Sequence, residues 1–335
     1  MNTFFTYLGR HKFSISIGTI MLLLGLGVGH LLFHNIYISP AITNTHNCTD
    51  YPFINPTLDC GSIDENISRI RNIDTKIRSI IDEEKTKNHI IRASVFYRDL
   101  TTRRWFGIDD TANFYGASLL KLPLSIIYYK FAEVAPDILL QKFSLPEENR
   151  DEKEAFPSQK KLLIPGNTYS VQQLIEGMLI DSDNNPVTLL NNHIDPVFRT
   201  TILHDLGIED SGSSSNSPDR YVNVRLYANI LRALYNSSYL NLTYSEKILD
   251  YLSRSTFANG IGAVIPQNIP VAHKFGEATS YAADGSVSSR ILHDCGIVYS
   301  PNNPYIICIM TEGRDFTNMS EVIKRITQAT FQLEY

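Results

Sequence analysis

The order of strand and helix patterns along the chain limits its fold more than any other feature. Two strand-like segments, 90–99 and 102–109, precede a long helical stretch, and three more follow it at 270–277, 290–300 and 304–313. Strands from both ends of the folded part have to meet in one sheet if each is to bury its apolar face. The sequence therefore predicts an α/β fold of the α+β kind, with one mixed sheet and helices inserted between its strands.

Helical periodicity marks the parts that surround this sheet. Isoleucines recur at helical spacing between residues 63 and 87, with charged residues between them, and a final helical pattern covers 318–333. Further helices are predicted at 118–133, 169–180, 186–193, 221–235 and 244–254. We expect the two terminal helices to pack on the sheet and the others to form an all-helical lobe over about residues 118–260.

An uncharged apolar segment lies near the N-terminus. Residues 13–38 contain no Lys, Arg, Asp or Glu, and a run of this length can cross the hydrocarbon core of a bilayer. Arg10 and Lys12 flank it on the N-terminal side, which predicts a cytoplasmic N-terminus. A cleaved signal peptide is the alternative, but the run is longer than a usual signal-peptide apolar region.

These observations predict the domain organisation and the location of the chain. The expected parts are a cytoplasmic N-terminus, a single-pass transmembrane anchor in the cell membrane, a juxtamembrane linker and an extracytoplasmic domain, at 1–12, 13–38, 39–62 and 63–335. The linker is predicted because its Pro, Asn and Thr show no periodicity.

The four cysteines suit a location outside the cytoplasm, where disulfides persist. Cys48 and Cys60 bracket a polar segment beyond the apolar run. Cys295 and Cys308 lie on two strand-like segments, and a hairpin between them would place the thiols roughly opposite each other. Either a bridge or two buried thiols is compatible with this pattern.

The charge of the chain excludes one class of partner. The net charge is -5 at pH 7, and no segment supplies the clustered Lys and Arg that neutralise phosphates. We therefore expect no nucleic-acid partner. No zinc-type Cys/His spacing is present either, and the sequence implies no metal and no organic cofactor.

Ser118 and Lys121 stand three residues apart at the start of the apolar run LLKLPLSIIYY. Side chains at this spacing share one face of a helix, so the Lys121 amine can reach the Ser118 hydroxyl and accept its proton. The S-x-x-K pattern alone is a weak signal, because Ser158 and Lys161 repeat it in a charged stretch. An ordinary helix start with a snorkelling lysine is the alternative reading.

Two further motifs indicate that the S-x-x-K pattern at Ser118 and Lys121 is not a chance match. Residues 182–184 read Ser-Asp-Asn between two helical segments, and residues 274–276 read Lys-Phe-Gly at the end of a strand pattern. With Ser118 and Lys121, they resemble in order, spacing and setting the S-x-x-K, S-D-N and K-T-G motifs of class A β-lactamases and penicillin-binding proteins. Over residues 63–335 the chain is similar to a membrane-anchored class A β-lactamase-like serine hydrolase.

This resemblance implies a role for each matching residue. Ser118 would attack a carbonyl carbon and Lys121 would receive its proton. Ser182 would pass a proton to the leaving nitrogen, while Asn184 would hold Lys121 and substrate. Lys274 would attract a carboxylate of the substrate. The implied fold is β-lactamase/transpeptidase-like, an antiparallel sheet packed with the N- and C-terminal helices beside an all-helical lobe.

The resemblance also implies how the substrate is held. The oxyanion that forms on the attacked carbonyl needs hydrogen-bond donors already in place, and the backbone N–H groups of Ser118 and Glu277 occupy the matching positions. Gly276 and His293 are the further substrate-binding residues that the resemblance suggests.

The sequence departs from the family pattern at two places. Phe275 stands where the family usually has a Thr or Ser that binds a substrate carboxylate. The segment that would match the water-activating Ω-loop is short, 207–219, and contains no E-x-x-x-N. Its carboxylates are Glu209, Asp210 and Asp219, and a solvated loop position is the simpler interpretation of each.

Because a water-activating group is not found in this segment, we expect Ser118 to be acylated easily and the acyl group to be released slowly. We expect hydrolysis of a β-lactam amide as the activity, through an acyl-serine intermediate. The alternatives are a D-alanyl-D-alanine peptidase, that is a penicillin-binding protein with slow deacylation, and a non-catalytic domain that binds cell-wall peptide. The expected partners are therefore a small β-lactam or a wall peptide, together with the membrane.

Overall fold

The structure, a computed structural model, describes residues 63–147, 163–209, 221–301 and 303–334. The chain divides into two compact units, Met1–Ile63 and Asp64–Tyr335, and the described residues from Asp64 onward belong to the second. The predicted anchor and linker, with Cys48 and Cys60, lie outside the described residues. Within those residues, no helix combines the length and the apolar character needed to cross a bilayer.

The strands, numbered along the chain, form one large sheet and two small ones. They are β1 Arg92–Asp99, β2 Trp105–Ile108, β3 Phe114–Tyr115, β4 Lys142–Ser144, β5 Thr168–Ser170, β6 Tyr221–Val222, β7 Val271–Tyr281, β8 Val287–Val298 and β9 Tyr305–Gly313. The large sheet has the order β2-β1-β9-β8-β7, and every neighbouring pair is antiparallel. The prediction of a mixed sheet from the order of patterns is therefore wrong, and the antiparallel sheet that the resemblance implies is present. The strands from the two ends of the domain thus meet through β1 and β9, as the sequence predicts.

The helices surround this sheet. They are α1 Ile63–Thr86, α2 Lys121–Ala132, α3 Val171–Ile180, α4 Asn185–Asn192, α5 Pro196–Asp205, α6 Val224–Tyr235, α7 Leu242–Ser253 and α8 Phe316–Glu334, with short 3-10 helices at Ala117–Leu120, Pro136–Leu140 and Ile261–Ala263. The helix α5 was not among the sequence predictions. Its start is nevertheless marked in the sequence, because Asp195 caps the N–H of Phe198 at 2.8 Å and Pro196 occupies the first turn.

The two faces of the sheet have separate cores. Successive side chains of a strand point to opposite faces, and on β9 Ile307 and Ile309 join the core of the terminal helices, which includes Ile77 of α1 and Ile323 of α8. The neighbouring β9 residue Met310 joins the core of the helical lobe. The predicted packing of both terminal helices on the sheet, opposite a helical lobe, is therefore present.

The pair Cys295 and Cys308 is a disulfide. The two residues are direct partners in the β8–β9 register, both are fully buried, and their Cα atoms lie 3.9 Å apart. Of the two alternatives that the sequence leaves open, the structure has the bridge. It joins adjacent strands on the face of the sheet that packs against the helical lobe.

Candidate active site

Ser118 lies in a tight turn between a strand and a helix. The chain leaves β3 at Tyr115, forms the 3-10 helix Ala117–Leu120 and enters α2 at Lys121. Ala117 has φ +44°, in the left-handed region that residues with a Cβ rarely adopt. Such strained positions cluster at functional sites, where the surrounding structure holds them. The turn leaves Ser118 partly exposed.

Lys121 connects this turn to the Ser-Asp-Asn motif. Its side chain is 4% exposed, and its amine donates to the backbone carbonyl of Ser182, to the Ser182 Oγ at 3.1 Å and to the Asn184 Oδ1 at 2.6 Å. An amine buried this deeply needs such partners, because a desolvated ammonium without acceptors is costly. Lys121 therefore lies with its amine fixed, one helical turn from Ser118.

The loop between α3 and α4 presents Ser182 and Asn184 to Lys121. Ser182 has φ +58°, so this residue is also held in the left-handed region. Asp183 stabilises the loop, since its carboxylate accepts hydrogen bonds from the N–H groups of Leu163 and Asn185, both at 2.9 Å. Asn184 stands at the N-cap of α4 without a side-chain capping bond, and its amide oxygen binds Lys121 instead. An Asn at this position usually caps the helix, but the Asn184 side chain binds Lys121 in this site.

Lys274 approaches the same hydroxyl from the sheet. Its side chain is fully buried, and its amine donates to the Ser182 Oγ at 2.9 Å and to the Phe275 carbonyl at 3.0 Å. The Ser182 hydroxyl therefore lies between two lysine amines, one from the helical lobe and one from β7. Two amines at this hydroxyl repel each other when both are charged, so the arrangement disfavours two ammonium groups at once, and the Ser182 hydroxyl links the two amines.

Gly276 lets β7 approach the turn that carries Ser118 closely. A Cβ at this position would lie 3.1 Å from the Leu119 nitrogen and 3.3 Å from the Gly116 oxygen, both of which are backbone atoms. Among the described strands β7 is an edge strand, so no described strand of the sheet uses its outer backbone groups. This contact supports an oxyanion hole built from the Ser118 and Glu277 N–H groups, which stays a prediction.

His293 has a different setting from the one that the resemblance suggests. It is fully buried on β8 opposite Gly276, with Nε2 donating to the Tyr115 carbonyl at 3.1 Å and Nδ1 accepting the Thr311 N–H at 3.3 Å. Both ring nitrogens thus bind the backbone, and one of them supports the strand before Ser118. The role in substrate binding stays a prediction, but these contacts favour a positioning role.

The burial of His293 predicts a pH dependence of stability. Burial lowers its pKa to about 4, below the ordinary 6.5, so the neutral ring is the folded form at pH 7. Because the unfolded chain binds this proton more readily, the stabilisation is present above about pH 6.5 and is lost as the pH falls towards 4, by up to about 3 kcal/mol. Urea unfolding between pH 7 and pH 4 measures this loss.

The variant His293→Gln is the matched control for that measurement, because an amide can keep one backbone contact but does not titrate. It should be less stable at pH 7 and should show a shallower decline in the free energy of unfolding between pH 6.5 and pH 4. An unchanged decline in the variant would assign the pH dependence to other groups.

Two residues near the site were missed by sequence reasoning. The Tyr227 hydroxyl on α6 donates to the Leu119 carbonyl at 3.1 Å, and complete burial raises its pKa, which keeps the phenol a donor. Phe257 stacks on Phe275 with ring centroids 4.0 Å apart. Neither residue belongs to a motif, and no local signal in the sequence separates Tyr227 from the other tyrosines.

Only one of the three carboxylates considered for water activation lies within the described residues. Glu209 is exposed at the end of a described range, and Asp210 and Asp219 lie outside the described residues. Asp183 is committed to the backbone N–H groups of its own loop and of Leu163. The described part of the site thus contains the residues to which the resemblance gives attack and proton transfer, while a water-activating acid is not identified in it.

The chain is similar in sequence and in fold to β-lactamases and a penicillin-binding protein. A sequence model of the beta-lactamase enzyme family matches residues 72–333. A search of curated proteins found no match. Similar solved structures include a mutant of PBP-A in an acyl-enzyme complex with penicillin G, which is 17% identical, with a TM-score of 0.63, and covers 77% of this chain and 96% of its own.

Two bacterial structures have comparable similarity. A beta lactamase from Xanthomonas campestris is 18% identical, with a TM-score of 0.65, over 79% of this chain and 99% of its own. A class A beta-lactamase representative from Bacteroides cellulosilyticus is 14% identical, with a TM-score of 0.65, over 79% and 98% of the two chains. At these identities the structural likeness establishes the fold, which is that of β-lactamases and transpeptidases.

Proposed function

The chain belongs to the beta-lactamase enzyme family, and from that premise we propose that it is a serine hydrolase that forms an acyl-enzyme at Ser118. The acyl donor is a β-lactam or a D-alanyl peptide amide. The observation that carries this proposal is the convergence on one hydroxyl: Lys121 and Lys274 both donate to the Ser182 Oγ, at 3.1 and 2.9 Å. These residues come from segments far apart in the chain.

The first half of the reaction is acylation. The Ser118 Oγ forms a bond to the carbonyl carbon while the Lys121 amine takes the hydroxyl proton, since a neutral serine is a weak nucleophile. The backbone N–H groups of Ser118 and Glu277 bind the oxyanion. When the carbon–nitrogen bond breaks, Ser182 gives its proton to the leaving nitrogen and receives the one held by Lys121.

The second half is release of the acyl group by water. Water adds to the ester carbonyl, the Ser118 oxygen leaves with a proton, and the free acid departs. This step needs a base that activates water, and the described residues do not identify a carboxylate for it. Since the segment 207–219 also contains no E-x-x-x-N, we expect slow deacylation, which favours the D-alanyl-D-alanine peptidase or penicillin-binding alternative. The fold likeness to PBP-A, whose structure holds a penicillin acyl-enzyme, is compatible with that alternative.

A non-catalytic wall-peptide receptor is the remaining alternative. A domain that only binds has no need of a buried amine placed one turn after a serine in a strained loop. The joint presence of Ser118, Lys121 and the two-lysine contact at Ser182 supports an enzyme. The single-pass anchor at 13–38 and the extracytoplasmic location belong to this proposal too, because they would place the site beside the wall.

Turnover of a chromogenic cephalosporin tests the proposal. We expect full-length protein in detergent to release a burst of product stoichiometric with enzyme, followed by a slow phase limited by deacylation. Stopped-flow absorbance with nitrocefin, with intact-protein mass spectrometry in parallel, measures both phases. Rapid multiple turnover without accumulated adduct would contradict slow deacylation and favour a β-lactamase with another base. The absence of both adduct and product would contradict the acyl-enzyme proposal itself.

A further inference from the structure

We propose that Tyr227 is a positioning residue for the proposed reaction, because its hydroxyl holds the Leu119 carbonyl and thereby fixes the backbone that presents Ser118. The inference rests on the proposed function and deepens it, since it concerns how the same nucleophile is oriented. The backbone in question is the Ser118 turn, that is the 3-10 helix Ala117–Leu120.

The Ser118 turn needs support from other parts of the chain. Ala117 has φ +44°, a conformation that a residue with a Cβ avoids, so the turn would relax if its surroundings released it. The N-cap residue is Gly116, which has no side chain to cap the turn, although its carbonyl accepts the Leu119 N–H at 3.0 Å. Contacts from other elements therefore have to determine where Ser118 lies.

Pro123 removes a hydrogen bond that would otherwise hold the end of this turn. The 3-10 helix runs directly into α2, and in a continuous α-helix a carbonyl accepts the N–H four residues later. Four residues after Leu119 stands Pro123, which has no N–H. The Lys121 N–H is shared between the carbonyls of Leu119 and Ser118. Because Leu119 is fully buried, its carbonyl needs a donor from another element.

Tyr227 supplies this donor from α6. Its hydroxyl donates to the Leu119 carbonyl at 3.1 Å, and the whole residue is buried. Burial raises the pKa of the phenol, so the group stays protonated and remains a donor at neutral pH. The helix that carries it is well formed, since Asn223 caps the Leu226 N–H at 2.9 Å. The Leu119 peptide is thus attached to a fixed point of the helical lobe.

The attached peptide lies next to the proposed reacting groups. Ser118 directly precedes Leu119, and Lys121 follows two residues later. On the other side a Cβ at Gly276 would lie 3.1 Å from the Leu119 nitrogen, so Leu119 is confined between α6 and β7. A shift of this peptide would move the Ser118 Oγ relative to the Lys121 amine. Misplacement of a reacting group by about 1 Å can lower a rate by about a hundredfold.

The variant Tyr227→Phe tests the inference, because it removes only the hydroxyl. Full-length protein in detergent is mixed with nitrocefin in a stopped-flow instrument, and the burst rate is measured over a range of nitrocefin concentrations. We expect the burst rate at saturation, per folded molecule, to fall by about tenfold or more. The concentration that gives half of this rate should change by less than about threefold. This split indicates that Ser118 has lost its orientation while binding of nitrocefin is retained.

Tyr128→Phe is the matched control. Tyr128 lies on α2, is fully buried and donates to the Leu190 carbonyl at 2.7 Å, so the variant loses the same type of hydrogen bond away from the Ser118 turn. Both variants should melt at a lower temperature than the wild type, because each leaves a buried carbonyl without its tyrosine donor. Only Tyr227→Phe should acylate slowly. If the two variants acylate at the same rate, Tyr227 is a packing residue and the inference is overturned.

Pro123→Ala provides a rescue that a purely structural role of Tyr227 does not predict. It restores an N–H four residues after Leu119, and this N–H can donate to the same carbonyl. We expect the double variant Tyr227→Phe/Pro123→Ala to acylate within about threefold of the single variant Pro123→Ala. A remaining loss of about tenfold between these two proteins would overturn the role assigned to the Leu119 carbonyl. This comparison also decides the matter if Tyr227→Phe alone is too unstable to purify.

The outcomes separate this inference from the proposed function. If the wild type gives neither adduct nor product, the acyl-enzyme proposal is refuted and the inference with it. If the wild type is acylated at Ser118 and Tyr227→Phe keeps the wild-type burst rate, the acyl-enzyme proposal stands and only the positioning role is refuted. A higher half-saturating concentration with an unchanged rate at saturation would also overturn the positioning role.

Discussion

Ser118→Ala is expected to lose covalent labelling by a fluorescent penicillin, with an acylation rate at least about a thousandfold below that of the wild type. The hydroxyl is the atom that forms the acyl bond, and no neighbouring group can replace it in the proposed reaction. Ser118 is partly exposed in its turn, so its removal leaves the buried core unchanged. Gel fluorescence and intact-protein mass spectrometry measure the loss.

The chain offers a matched control for this substitution. Ser158 and Lys161 repeat the S-x-x-K spacing in a charged stretch outside the described residues. The variant Ser158→Ala should be labelled at the wild-type rate. Labelling that persists in Ser118→Ala, or that disappears in Ser158→Ala, would refute the assignment of the nucleophile.

Lys121→Met is expected to lower the acylation rate by about a thousandfold or more, because it removes the base and keeps a side chain of similar length. It also removes the buried lysine donor of the Ser182 carbonyl and of the Asn184 Oδ1, while the Ser182 Oγ keeps its hydrogen bond from Lys274. An unsatisfied buried group costs about 1 to 3 kcal/mol, so the melting temperature should fall as well. Stopped-flow acylation, corrected for the folded fraction, separates the two effects.

Lys130 provides the comparison on the same helix. Its amine donates to the Tyr239 carbonyl at 2.7 Å and to Glu133 at 2.8 Å, away from Ser182. The variant Lys130→Met should lose some stability and keep the acylation rate of the folded protein. If Lys121→Met acylates as fast as Lys130→Met, Lys121 is not the base.

Much of the fold could be predicted from the sequence, because the periodic patterns that indicate its helices and strands are local. The isoleucine spacing of α1 and the apolar strands β8 and β9 each follow from periodicity alone. The convergence of the three motifs could also be anticipated, since they match one family pattern in order and spacing. The disulfide needed the register of β8 and β9, which a sequence fixes only to within a residue or so.

Other features depend on tertiary contacts and could not be derived. The hairpin β7–β8 continues beyond the predicted strands, to Tyr281 and Val287. The sequence does not predict this outer part because its residues are mostly small, polar and exposed and show no strand-like alternation. The positive φ of Ala117 has no sequence signal either, since alanine ordinarily avoids that region. The burial of His293 likewise follows from packing against Phe114, which the sequence does not reveal.

Gly276 packs closely against the backbone of the Ser118 turn, so the site is complete only after β7 has been synthesised. The ribosome makes Ser118 and Lys121, the proposed nucleophile and base, long before it makes Lys274, and Lys274 reaches Ser182 only after β7 has joined the completed sheet. If the proposed reaction is right, a partly synthesised chain is inert towards acylating reagents, and the protein gains reactivity only when its last strands and the C-terminal helix have been added.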